Sequence, residues 1–231
     1  MSDFLGWAVF ILIWALAIGV WIFTSRRRGK LGEQLVELSR RRGWHFEPRP
    51  QQLVDCLIRG QDAGVDWEIR YATDVQGGEA GQSSATFRSE AVAFPGTLLA
   101  YPKTTQMQID PHMGKVGELR GIAGTLFNWS MKLIGIDVSD SSFHEVGTSA
   151  FLEKYLVLAP DAESARRLVG AVERELLNWP AARSRTSLPV VIVNPDGVTV
   201  RLVRDGTSLD YQVQIAERLV ALGVEAVRGF R

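Results

Sequence analysis

Residues 4–23, FLGWAVFILIWALAIGVWIF, run without a charge or a proline. Nothing else in the chain constrains its folding as strongly. A helix of that length, at about 1.5 Å per residue, measures about 30 Å, the thickness of a bilayer's hydrocarbon core. The run therefore reads as a transmembrane helix. A cleaved signal peptide would want a basic stretch before it, but Asp3 is the only charge there, and the small residues at 15–17 lie inside the run. Arg26, Arg27, Arg28 and Lys30 follow directly. Their positive charge predicts a single pass through the inner membrane, with the N-terminus outside and the rest of the chain in the cytoplasm. Trp7 and Trp21 fall near the two headgroup levels, where indoles are enriched. Trp14 falls near the centre on the same helix face, meeting lipid or a second span. The expected partners are accordingly the lipid bilayer and another membrane protein, reached through the span or through the cytoplasmic domain.

Charge is balanced overall, with 26 basic and 26 acidic side chains, so no nucleic-acid partner is expected. It is unevenly placed. Between Arg26 and Arg42 seven basic residues face only Glu33 and Glu37, an excess of five, enough to set topology or to lie against anionic lipid. Cys56 is the only cysteine; it allows no intramolecular disulfide, and within LVDCLI it reads as a small buried apolar residue.

Beyond the run, LGEQLVELSRRRG predicts a short helix, with Leu31, Leu35 and Leu38 on one face, a Glu37–Arg41 pair, and Gly43 as its left-handed cap. WHFEPRP predicts a strand broken by Pro48 and Pro50, followed by a short helix over Gln51 to Ile58. Val65, Trp67, Ile69 and Tyr71 alternate as a half-buried strand. ATFRSEAVAF and TLLAYPK add two strands around Pro95-Gly96, continuing an antiparallel meander. FLEKYLVLA predicts a strand, and residues 160–180 a helix with Asp161 as N-cap and Pro180 as its stop. A hairpin turning at Asn194-Pro195-Asp196-Gly197 follows, then a final helix that starts after Ser208 and ends near Gly223.

The predicted class is thus α+β: an N-terminal transmembrane helix, then a soluble domain with an antiparallel sheet and flanking helices. The expected divisions are an anchor over 1–25, a basic juxtamembrane segment with a short helix over 26–43, and a cytoplasmic domain over 44–231. Within that domain, about 104–142 is a glycine-interrupted insert. Its apolar residues need cover from the core, from the membrane interface around Phe127, Trp129 and Lys132, or from a partner.

The order of RRGWHFEPRP, SEAVAFPGTLLAYPK and FLEKYLVLAPDAESARRLVGAVERELLNWP after an apolar N-terminal run resembles a group of bacterial membrane-anchored proteins of unknown function. The resemblance implies an anchored cytoplasmic domain and brings no catalytic residue, cofactor or metal.

Signatures of chemistry are sparse. His45, His112 and His144 share no helix-face spacing, and DPHM and FHEVG each offer one histidine and one carboxylate, too few for zinc. DVSDSSFHE has Ser142 where a calcium loop turns on glycine. GGEAG lacks the Gly-Lys-Ser/Thr of a phosphate loop. No cofactor is expected, and the leading expectation is a membrane-tethered, non-catalytic interaction domain at the cytoplasmic face. The alternative is a small membrane-associated hydrolase or lipid-modifying enzyme using His112 or His144 with Asp110 or Glu145.

Overall fold

The computed structural model describes residue 14 and residues 30–51, 54–74, 82–103, 136–180, 188–204 and 209–231. Residues 30–42 form helix α1. Strands β1 (His45–Gln51), β2 (Val54–Asp62), β3 (Val65–Asp74), β4 (Gln82–Ser89), β5 (Leu98–Pro102) and β6 (Ser142–His144) follow. Helix α2 (Ser149–Lys154), strand β7 (Tyr155–Ala159), helix α3 (Ala162–Leu177), strands β8 (Val190–Asn194) and β9 (Gly197–Arg204), and helix α4 (Leu209–Phe230) complete the order. The architecture is α+β.

The nine described strands join one antiparallel sheet in the order β1-β2-β3-β4-β9-β8-β5-β7-β6. One cross-strand row, read by register, runs Phe46, Ile58, Ile69, Phe87, Val200, Val191, Ala100, Val157 and His144. It is apolar until its last member, and α3 and α4 pack over it. The neighbouring row belongs to the other face: His45, Arg59, Glu68, Arg88, Thr199, Ile192, Leu99, Leu158 and Phe143. This face is charged over β1–β4 and apolar over β8, β5 and β7, where Ile136 and Val138 join Leu99, Leu156, Leu158 and Ile192 in a second cluster. The period of two makes both faces readable from each strand.

Helix α3 forms because Asp161 caps it, accepting a hydrogen bond from the Ser164 N–H at 2.8 Å, and because Ala165, Leu168, Val169, Val172 and Leu176 make one buried stripe. Burying each such leucine or valine contributes roughly 1.5–3 kcal/mol. Helix α1 joins the same core through Leu35, and Gly43 (φ +69°) turns the chain into β1.

Several expectations are corrected. No helix among the described residues is long and apolar enough to cross a membrane. On that finding the expected transmembrane helix, the single-pass inner-membrane placement and the bilayer as a partner are withdrawn as unsupported; residues 4–23, apart from Trp14, lie outside the described residues. The longest described helix, α4, has 22 residues. Its apolar side packs on β3, β4 and β9, while Glu217, Arg218, Glu225 and Arg228 remain partly or largely exposed; lipid would leave those charges unsolvated. Of the apolar run only Trp14 is described, as a helical residue 56% exposed.

In place of the helix expected over Gln51 to Ile58, Gln51 ends β1 and Val54 to Ile58 belong to strand β2. Its Cys56, Leu57 and Ile58 are buried in succession, and hairpin pairing with β3 overrides the local pattern. Pro48 and Pro50 sit in β1, an edge strand whose register shifts between Pro48 and Gln51. FLEKYLVLA divides into the end of α2 and strand β7. The meander ends at β4, because the β9–β8 hairpin lies between β4 and β5. The chain crosses that hairpin over residues 90–97, pinned by a Phe94 N–H to Asn194 carbonyl bond of 3.1 Å. The turn residue Gly197 (φ +119°) has no room for a side chain, since a Cβ there would stand 2.1 Å from the Ser89 carbonyl oxygen.

Candidate functional site

Three segments far apart in sequence meet beside the β2–β3 turn and enclose a cleft of about 570 Å³. The end of α1 and the link to β1 supply Arg42 and Trp44, the end of β2 supplies Gln61 and Asp62, and α4 supplies Gln214, Glu217 and Arg218 over a floor of Val220 and Ala221. Gly43 brings Arg42 and Trp44 round to face α4. The helical spacing of Gln214, Glu217, Arg218 and Ala221 puts them on one side of α4, while Ala216 and Leu219 are buried on the other.

Trp44 is fixed from below. Its indole stands edge-on to Trp67, with centroids 4.9 Å apart and planes at 90°, and Trp67 stacks on Phe87 at 6.2 Å. Gly60 makes this possible. It pairs with Trp67 across β2 and β3, and a Cβ at Gly60 would lie 2.6 Å from Trp67 Cζ2 and 2.8 Å from Trp44 Cδ1.

The turn bearing Asp62 is a two-residue hairpin, with Asp62 opposite Val65 and Ala63 and Gly64 between them at φ +48° and +74°. Both residues are left-handed, as the twist of a tight hairpin requires. Ala63 has a Cβ that opposes this conformation. Arg231 holds the turn by donating from Nη2 to the Gly64 carbonyl at 2.9 Å.

Charges in the cleft are mostly committed. Arg42 donates to Glu217 Oε1 from Nε at 2.9 Å and from Nη2 at 2.6 Å, joining α1 to α4. Both side chains are more than a third exposed, so this pair contributes no more than about 1 kcal/mol. Arg218 faces Glu175 of α3 at 3.9 Å, and Glu175 also takes Arg174 at 3.1 Å. Gln61 donates to Asp66 at 2.9 Å. Among the described residues, the Asp62 carboxylate and the Gln214 carboxamide have no such partner.

The residues singled out in the sequence do not gather here. Lys30 is exposed at the start of α1, and Trp14 is the only described residue of the anchor set. Trp7, Trp21, Arg26, Arg27, Arg28, Phe127, Trp129, Lys132, Asp110 and His112 lie outside the described residues. His144 is half-buried in edge strand β6, its Nε2 3.2 Å from the Ala159 carbonyl oxygen, and the neighbouring Glu145 is exposed. Cys56 is buried in β2. Among the described residues no three His, Cys, Asp or Glu side chains are grouped to hold a metal ion.

Sequence reasoning missed Asp62, Gln214 and Glu217, and took Arg42 and Trp44 for parts of a basic stretch and a strand. No spacing links residues 42, 62 and 217, and the only local signal was an indole directly after a helix-capping glycine. Comparison with known proteins finds no matching family model, curated protein or solved structure. With no family match and no span among the described residues, the resemblance to membrane-anchored bacterial proteins is withdrawn.

Proposed function

We propose that this protein is a recognition domain that binds an extended, polar segment of another protein in the cleft between α1 and α4. One observation carries the reading: a rigidly seated indole and two polar side chains with no hydrogen-bond partner among the described residues, from separate segments, converge on one open cleft. Such a site offers an aromatic contact surface with hydrogen-bonding groups around it, the combination that gives a small interface its affinity. The membrane tether forms no part of this reading. Nor does the hydrolase alternative find support in His144, whose ring nitrogen already faces a backbone carbonyl.

Site-specific photo-crosslinking in the full chain tests it. A crosslinking residue in place of Gln214 should yield a discrete protein adduct that Trp44→Ala abolishes, while one in place of exposed Glu163 on α3 should not. Identical adducts from both positions, or none from position 214, would overturn the proposal.

A further inference from the structure

Resting on that reading of the cleft, the chemistry of its occupant can be specified. Arg42 and Glu217 neutralise one another, and Arg218 lies 3.9 Å from Glu175, which it shares with Arg174. Asp62 is the carboxylate left over, with no counter-ion among the described residues, and it lines the same cleft as Trp44. An aromatic face attracts a cation through its quadrupole, and an adjacent carboxylate adds a direct charge partner.

We infer that the cleft selects a basic side chain, a lysine or arginine of the partner protein, with its stem along Trp44 and its charged end at Asp62. The Gln214 carboxamide oxygen supplies a second acceptor from the opposite wall. The Arg42–Glu217 pair closes the side of the cleft between α1 and α4 and carries no free charge of its own. An acidic side chain placed beside Trp44 would meet the carboxylate of Asp62, which has no counter-ion among the described residues, while Arg42 is held by Glu217 and Arg218 is drawn towards Glu175.

The test uses the full chain labelled with ¹⁵N, following the Trp44 indole N–H, assigned by its disappearance in Trp44→Phe. Three blocked tripeptides serve as probes, alike except for a central lysine, norleucine or glutamate. The lysine peptide should move the Trp44 signal to saturation, with the norleucine and glutamate peptides weaker by about tenfold or more. Asp62→Asn should weaken the lysine peptide by about fivefold to tenfold and leave the norleucine peptide unchanged. Because Asp62 is exposed at a turn, an unaltered spectrum elsewhere will show that the variant folds. Norleucine binding as tightly as lysine, preference for glutamate, or indifference to Asp62→Asn would each overturn the inference while leaving the cleft reading in place. A cleft that crosslinks from position 214 yet ignores all three peptides would overturn it too. Failure of the crosslinking itself would remove the underlying reading.

Discussion

Trp44 meets Trp67 edge to face, with 4.9 Å between ring centroids, and only a missing side chain at residue 60 lets them do so. The wall of the cleft and the hydrophobic core are therefore one packed unit, since Trp67 continues to Phe87 beneath α4. Rigidity at the site comes from the core rather than from hydrogen bonds within the cleft.

Gly60→Ala should push both indoles from their positions. Overpacking of this kind costs about 1–3 kcal/mol. Urea unfolding should show a lower midpoint at an unchanged slope, and the Trp44 indole signal should shift in the folded protein. A variant with wild-type stability and an unmoved Trp44 resonance would contradict the packing described here.

Ala63→Gly should stabilise the protein. The left-handed conformation costs an L-residue roughly 1–2 kcal/mol, partly offset by the greater backbone entropy glycine loses on folding, so a net gain of about 0.5–1 kcal/mol is expected. Thermal unfolding would register it as a higher Tm, whereas a lower Tm would mean that Ala63 makes contacts glycine cannot replace.

Glu173 of α3 accepts the backbone N–H of Thr148 at 2.8 Å and the Thr148 hydroxyl as well, while Thr148 itself caps α2. Removing the carboxylate in Glu173→Ala should cost about 1–2 kcal/mol by releasing the start of α2, and Glu173→Gln should cost less because its amide oxygen can still accept. Hydrogen exchange at residues 148–152 should accelerate in the alanine variant. Equal protection in all three proteins would refute this role.

Glu37 is held well below the usual carboxylate range, to about 2, first by its hydrogen bonds to Arg40 and then by those to Arg41. A carboxylate whose folded value is depressed stabilises the fold above its unfolded value, near the usual range, and loses that contribution as pH falls towards the folded value. The end of α1 should therefore loosen on acidification from about pH 4.5 to about pH 2, more weakly in high salt because the pairs are exposed. The Glu37 carboxyl ¹³C shift would report the titration directly. A midpoint in the ordinary carboxylate range would contradict the paired geometry.

Local pattern reveals some elements and misleads on others, and the difference has a physical basis. Asp161 and the buried stripe of α3 are adjacent in sequence and enforce one another, so both the start of the helix and its buried face could be read directly. Gly223, by contrast, looks like the end of the last helix but lies in the middle of α4. A Cβ there would stand 2.2 Å from Phe87 Cε1, so this glycine permits close approach of helix and sheet instead of ending the helix. Nothing near residue 223 indicates that Phe87 waits beneath it. In the same way Arg42, Asp62 and Glu217 carry no mutual spacing, and the cleft they line exists only once α1 and α4 lie side by side.

The sequence by itself determined which faces of several elements are apolar, where Gly43 ends α1, where the β8–β9 turn falls and how α3 begins, because these follow from side-chain periodicity, the freedom of glycine and the hydrogen-bonding reach of one aspartate. Only the tertiary structure decided the strand order, the conversion of residues 54–58 from expected helix to strand, and the placing of Trp44 and Asp62 on one cleft. Pairing and packing between distant segments cost chain entropy that only the assembled core can offset, so no local stretch encodes them alone.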